Sequence, residues 1–412
     1  MPFPLSRPLV LRATLALAFL GGAHAATQAA PVAAVQQAAQ AQKQAMLDTM
    51  RDLVNIESGS KDVEGVERIA ALIGERLGAL GGKVEILQAT DIFRLDDTPE
   101  RVGPMVHAEF KGSGQKKIML IAHMDTVYRN GMLKDQPFRI DGERAYGLGI
   151  ADDKHGVATI LHTLALLQKL DFKDYGTLTV LINGDEEISS PGARATLTRL
   201  TLATSGIGAA YLTVQGKTSH AGARPEGGVN ALTELSHQIL QLKDLSKPEA
   251  GLKLNWTVAQ AGTNRNVIPG QATAQADARA LKVSDFDALE RTLQERIQNK
   301  LLPEAKVSLK FEVRRPPLEA TPASRALANH GVAIYQELGL PMKVIDRPSG
   351  GGTDAAFAAL KARGPVIEGM GLSGFGAHSN DAEYIQIPSI VPRLYLATRM
   401  IMDVSQDKAP MK

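Results

Sequence analysis

The chain has no cysteine among its 412 residues, so disulfides are excluded and any bound metal must rest on His, Asp or Glu. Charge of one sign is also missing. The formal net charge is +2, and Arg7 and Arg12 account for both units, which leaves the remainder near neutral. No basic field for nucleic acid and no attraction to an acidic membrane follow from that balance. Long apolar runs are absent too. The longest near the N-terminus, Ala13 to Leu20, is too short to span a bilayer. Flanked by Arg7 and Arg12 before it and Ala23-His24-Ala25 after it, the run reads as a signal peptide, residues 1–25, and implies a periplasmic or secreted address. There are no internal repeats.

What is present is a globular composition, 44% hydrophobic and 22% charged, over a length that suits two domains. The most informative stretch is Lys117 to Asp153. An apolar strand, Ile118-Met119-Leu120-Ile121-Ala122, runs into His123-Met124-Asp125, and the stretch closes at Gly149-Ile150-Ala151-Asp152-Asp153. An imidazole and a carboxylate at the C-terminal end of a strand lie where open α/β sheets keep their chemistry. A histidine oriented by a carboxylate is a metal-ligand arrangement. Taken alone, His-x-Asp equally reads as a strand followed by a polar loop.

Around this stretch the periodicity predicts helices at 46–56, 63–80 and 153–170 and strands at 83–87, 105–110, 117–122 and 177–182. Residues 26–43, rich in Ala and Gln with little pattern, read as a mobile lead-in or a frayed helix. From 209 the order is strand 209–215, helix 229–242, strands 252–260 and 271–280, helix 285–300 and strand 306–314. That is a split βαββαβ unit, able to fold as a ferredoxin-like insertion. A helix at 323–338, short strands at 343–346 and 365–369, and a last helix at 388–403 complete an α/β domain. The expected division is 26–206 for the first catalytic part, 207–316 for the insertion and 317–412 for the second catalytic part. Polar clusters fall after the apolar strands: His123/Asp125, Asp152/Asp153, Glu186/Glu187 and His378. Each is weak alone. Together, on alternating strands of one sheet, they suit a hydrolase in which carboxylates share cations and one glutamate stays free as general base.

Six segments carry a resemblance: HMDTV (123–127), GIADDK (149–154), NGDEE (183–187), GKTSHAG (216–222), GGGTDAA (350–356) and GFGAHSNDAEY (374–384). In this order they resemble the zinc aminoacylase/carboxypeptidase metallopeptidases, and within them the bacterial glutamate carboxypeptidases. The resemblance implies a zinc-peptidase sheet flanked by helices with an inserted lid and dimerisation domain, and two zincs per subunit. It implies His123 on one zinc, Asp152 bridging both, and Glu187 and His378 on the second. Glu186 would be the general base and Asp125 would orient His123. The Asp152-Asp153 bond would be cis. His220 would serve a tetrahedral intermediate, reaching the partner's site across a homodimer. Asn266, Arg279 and Arg315 would bind the substrate's carboxylates. The activity implied is release of C-terminal glutamate from N-acyl or folate-like substrates. The alternatives are a deacylase of another N-acyl amino acid, or an inactive periplasmic binding protein on the same fold.

One family feature is missing. A third acidic ligand to the first zinc normally follows the Glu-Glu pair after a helix and a strand. Here no Asp or Glu occurs between Glu187 and Glu226, and the stretch to Leu202 is too short for that helix and strand. The expectation is a deletion that removes a strand and a ligand, weakens the first zinc position, impairs activity and leaves a strand edge unpaired.

Overall fold

The computed structural model describes residues 29–200, 206–345, 352–360, 362–379 and 382–411. The segment read as a signal peptide and most of the glycine run at 350–352 lie outside them. In chain order the elements are α1 (Ala33–Ala41), α2 (Lys43–Val54), α3 (Val63–Ala79), β1 (Lys83–Leu87), β2 (Met105–Lys111), β3 (Lys117–His123), β4 (Arg139–Asp141), β5 (Arg144–Tyr146), α4 (His155–Lys169), β6 (Thr177–Asn183) and α5 (Arg194–Leu200). They continue with β7 (Gly206–Gln215), β8 (Ser219–His220), α6 (Ala231–Gln241), β9 (Lys253–Ala261), β10 (Val267–Ile268), β11 (Gln271–Ala280), α7 (Val283–Arg296) and β12 (Lys306–Arg315). Last come α8 (Pro322–Glu337), α9 (Ala355–Ala359), β13 (Gly374–Phe375), β14 (Tyr384–Gln386) and α10 (Ile390–Ser405).

The fold is α/β. One sheet has the order β1-β2-β6-β3, with β3 and β6 parallel and the other pairs antiparallel. Helix α4 is apolar on nearly every side, and its Val157, Ile160, Leu161, Leu164 and Leu167 enter the main core with residues of α2 and α10. A helix of this kind is stable only when covered all round. The lead-in at 33–41 is helical as well: Val35, Ala38 and Ala39 are buried in the same core. Alanine's helix propensity supplies the helix there without a strong periodic signal.

A second sheet, β12-β7-β11-β9, is antiparallel throughout and carries α6 and α7 against it. Strand β11 alternates strictly, burying Ala272, Ala274, Ala276, Ala278 and Ala280 beneath those helices. A third, small sheet has the order β13-β14-β5-β4. Its strands are two or three residues long, too short to show a period in the sequence.

The expected strands at 343–346 and 365–369 do not form. Residues 343–345 and 365–369 join no ladder, and 346 lies outside the described residues. A strand is defined by a neighbour less than about 5 Å away, and residues 365–369 have none among the described residues. It lines a cavity of about 1490 Å³ whose other walls include Lys117–Ala122 of β3. Among the described residues β3 pairs only with β6, so its second edge faces that cavity. This is the unpaired edge that the short Glu187–Leu202 connection leads one to expect.

Candidate metal centre and active site

The parallel register of β3 and β6 sets His123 opposite Asn183. Both strands therefore end together, and the Glu186–Ile188 turn after β6 lies beside the His123-Met124-Asp125 corner. Asp125 is fully buried and fastens the two corners. Its Oδ1 accepts the Glu186 amide at 3.0 Å and its Oδ2 accepts the Glu187 amide at 3.1 Å. The Ser60 hydroxyl donates to Oδ2 at 2.7 Å. The His123 Nδ1 lies 3.1 Å from the Asp125 carbonyl and 3.4 Å from its Oδ1. With Nδ1 engaged, Nε2 is turned outward, 3.0 Å from Asp152 Oδ1.

Asp152 and His378 come from a different sheet. The sequence-based picture of four clusters on alternating strands of one sheet is therefore corrected. Asp152 follows β5, and His378 sits between β13 and β14, strands of the small antiparallel sheet. Hairpin geometry brings these loops together, where a crossover would have been needed between parallel strands. Gly376 makes the turn before His378. Its φ is +73°, and a Cβ there would sit 2.4 Å from the Ala382 carbonyl oxygen. His378 itself has φ +63°, a conformation that non-glycine residues tend to adopt where the surroundings hold them. The Asp152-Asp153 bond is cis.

His378 Nε2 lies 3.3 Å from Asp152 Oδ2 and 3.1 Å from Glu187 Oε2. One ligand atom from each of Asp152, Glu187 and His378 falls within 4.8 Å of the others. These residues fit a cation. The second carboxylate oxygen of Glu187 is buried with no hydrogen-bond partner. Burial, reinforced by the negative neighbours Asp125, Asp152 and Glu186, pushes the Glu187 carboxyl up to about 9. A cation at this spot would reverse that penalty and satisfy the orphaned oxygen. Burial also works against charge on Asp152 and His123, but each is outweighed by its partners. The imidazoles of His123 and His378 hold the Asp152 carboxyl below its ordinary value. The carboxylates of Asp125 and Asp152 hold the His123 imidazole well above its own. Among the described residues no third donor joins His123 and Asp152 on the other side of the bridge.

The remaining sequence-predicted residues divide. Glu186 is buried beside the centre, and Arg315 at the end of β12 reaches it. One guanidinium nitrogen pairs with Glu186 Oε1; the other donates to the Glu186 carbonyl at 2.7 Å. Arg315 is only 2% exposed, and its guanidinium is engaged with the expected base rather than offered to a substrate carboxylate. The physical reason is local charge: Glu186 and Asp354, the latter 3.8 Å from Arg315, are buried together and need a cation. Arg279 lines the large cavity from β11, braced in a bidentate contact by Asp277 at 2.9 and 3.0 Å. His220 and Asn266 are near each other, because β8 pairs with β10 and the Ala221 amide bonds the Asn266 carbonyl. Both are exposed and neither lines the cavity.

Sequence reasoning missed the residues that hold the ligands in place. Glu383, Tyr128 and Ser60 are buried around the centre. Glu383 lies inside the GFGAHSNDAEY segment, so its position was visible, but its partners at 128 and 149–152 could not be read from spacing.

Comparison with known proteins bears on all of this. Residues 119–403 match peptidase family M20/M25/M40. The chain is 42% identical to carboxypeptidase G2 from Pseudomonas sp. (strain RS-16), covering 97% of this chain and 98% of that protein. Among solved structures, aminopeptidase PepT from Bacillus cereus superposes with a TM-score of 0.72 at 20% identity, over 88% of this chain and 98% of that one. YXEP of Bacillus subtilis, described as a dinuclear metal-binding peptidase, superposes with a TM-score of 0.62 at 18% identity, over 89% and 99%. The chain belongs to peptidase family M20/M25/M40 and is a hydrolase.

Proposed function

We propose that the chain is a zinc-dependent carboxypeptidase that hydrolyses the amide bond to a C-terminal glutamate in N-acyl or folate-like substrates. The observation that carries the reading is the meeting of Asp152, Glu187 and His378 beside the strand ends that bear His123 and Glu186. The similarity to carboxypeptidase G2 supports the choice of bond. In this reading Asp152, Glu187 and His378 hold one cation, and His123 shares Asp152 toward a second. Imidazole with carboxylates and no thiolate suits zinc. A cation held there supplies Lewis acidity toward the scissile carbonyl and eases ionisation of water.

The chain's own groups do the rest. Glu186 takes a proton from the attacking water and passes it to the amide nitrogen as the C–N bond breaks. Asp125 keeps His123 aimed and fixes the main chain of Glu186 and Glu187. Arg315 balances the Glu186 charge when the site is at rest. Arg279 is the residue assigned to a substrate carboxylate, since it lines the cavity with its guanidinium oriented by Asp277. His220 and Asn266 are assigned to the site of a partner subunit. A homodimer through the inserted domain is supported by the exposed edge strand β9, with Val258 44% exposed, and by Leu232 and Leu240 outward on α6. Light scattering would give its mass.

The test is glutamate release from pteroyl-glutamate and N-acyl-glutamates with added zinc, using Glu186→Gln as control. A loss of roughly 10²–10⁴-fold in that variant is expected for removal of a general base. No turnover above the control overturns the reading. Turnover only on other N-acyl amino acids moves it to a deacylase. A second reading, a single tightly held cation, is favoured by the absence of a third donor beside His123 and Asp152 among the described residues. Two tightly held zincs per chain would refute it.

A further inference from the structure

Glu383 is 3% exposed and lies between the His378 loop and β14. Its carboxylate collects donors from elsewhere. Oε1 accepts the amides of Ala151 at 2.7 Å and Asp152 at 3.1 Å. Oε2 accepts the amide of Gly149 at 3.0 Å and the hydroxyl of Tyr128. That hydroxyl also lies 3.1 Å from the carbonyl of Ser379, next to His378. The main chain takes part as well: the Gly147 amide donates to the Glu383 carbonyl at 3.4 Å.

One buried carboxylate thus joins three segments. The first, 147–152, carries Asp152. The second, 123–128, carries His123. The third, 374–379, carries His378. Neither Glu383 nor Tyr128 belongs to the cluster of candidate ligands. The Asp152 backbone cannot shift along 149–152 without stretching bonds to both oxygens. Three backbone amides and one hydroxyl converging on a single carboxylate make charge-assisted bonds, about twice as strong as neutral ones.

We propose that Glu383 is a positioning residue. It fixes the carboxylate of Asp152 against His123, Glu187 and His378, and so sets how tightly the centre holds its cation. The proposal rests on the reading of Asp152, Glu187 and His378 as metal-holding residues. Glutamine is the informative substitution. It keeps the shape but offers one oxygen where the carboxylate offers two, so in either amide orientation at least one backbone N–H faces another donor.

The test uses the full chain, stripped of metal and titrated with Co²⁺, followed by calorimetry and visible absorption. Circular dichroism of the metal-free proteins checks folding. Glu383→Gln is expected to fold and to bind Co²⁺ about 10–100-fold more weakly than the unmodified chain, the usual cost of losing a group that orients a ligand. Its visible spectrum should change as well. Its kcat should fall with KM little moved. A folded Glu383→Gln with unchanged Co²⁺ affinity and spectrum would overturn the proposal. Failure of the unmodified chain to bind Co²⁺ would overturn the metal-site reading first, and this proposal with it. If Glu383→Gln does not fold, Tyr128→Phe removes one of the four bonds. A weakening of roughly threefold is then expected, and unchanged affinity overturns the proposal.

Discussion

Asp125 offers the sharpest test of how the centre is assembled. Its carboxylate is fully buried and serves three donors, the amides of Glu186 and Glu187 at 3.0 and 3.1 Å and the Ser60 hydroxyl at 2.7 Å. Asp125→Ala leaves both amides without an acceptor, whereas the Ser60 hydroxyl can turn to the Thr126 carbonyl at 3.2 Å. Each stranded buried donor costs roughly 1–3 kcal/mol. Relief from burying a charge offsets part of the sum, so a net loss of about 2–4 kcal/mol is expected. Asp125→Asn keeps one acceptor oxygen and should lose about half as much. Urea unfolding of the metal-free proteins, monitored by circular dichroism, gives both numbers from the shift in midpoint at constant m-value. A loss below about 0.5 kcal/mol for Asp125→Ala would refute the reasoning, because surface substitutions alone produce effects of that size. The stability loss must also be accompanied by loss of turnover, as the same bonds fix the main chain of Glu186 and Glu187.

Three further outcomes follow from other parts of the structure. Burial pushes the His162 imidazole down to about 4, with its ring nitrogens 2.8 Å from Gln42 Oε1 and 2.9 Å from Thr49 Oγ1. The unfolded chain then binds the extra proton first, so stability falls as pH drops from about 6.5 toward 4. The loss is about 2 kcal/mol at pH 5, and a His162→Gln chain whose unfolding free energy varies with pH just as much would count against this. Zinc or cobalt should raise the melting temperature, by the equivalent of about 2.7 kcal/mol at a hundredfold excess over Kd; a scan unchanged by metal would speak against the cluster as a cation site. Alternate amides of Lys117–His123 should exchange hydrogen much faster than those bonded to β6, because β3 has one partner strand among the described residues. Uniform protection along β3 would mean that its second edge is covered.

The sequence made the main sheet and the inserted unit legible because both are built from strong local patterns. The apolar runs of β3 and β6, and the Ala alternation of β11, leave little choice of element. The polar clusters after those strands were readable for the same reason, since a carboxylate or imidazole following a buried run marks a strand end. What stayed hidden is what depends on pairing between distant segments. The small sheet that delivers Asp152 and His378 has strands of two or three residues, below any useful window. Residues 365–369 carry a strand-like pattern but pair with no strand among the described residues. Arg315 was legible as a cation for carboxylates, yet nothing in the spacing could tell that Glu186 and Asp354 would be the carboxylates it met.

These two kinds of information meet in the way the ligands are held. The candidate ligands are supplied by two sheets that share no strand, so among the described residues no ladder fixes one half of the centre against the other. Contacts between loops must do it. Asp125 ties the His123 corner to the Glu186-Glu187 turn within the first half. Glu383 ties the Asp152 loop to the His378 loop within the second, and Tyr128 reaches across from the first half to both Glu383 and Ser379. The Tyr128 hydroxyl is thus one polar link between the halves beside the cluster. The halves also meet through the ligands themselves, His123 with Asp152 and Glu187 with His378, and through the buried Lys154, whose Nζ donates to the Ile56 carbonyl at 2.9 Å. The ligand pairs are the contacts a cation would occupy. It follows that a cation should tighten the joint between the sheets as well as the chemistry. Chelation should therefore loosen the 147–154 and 374–379 segments together, with exchange of the β6-bonded amides of β3 and of Thr177–Ile182 unchanged. Hydrogen exchange with and without metal reads this directly, and loosening confined to one of the two segments would break the argument.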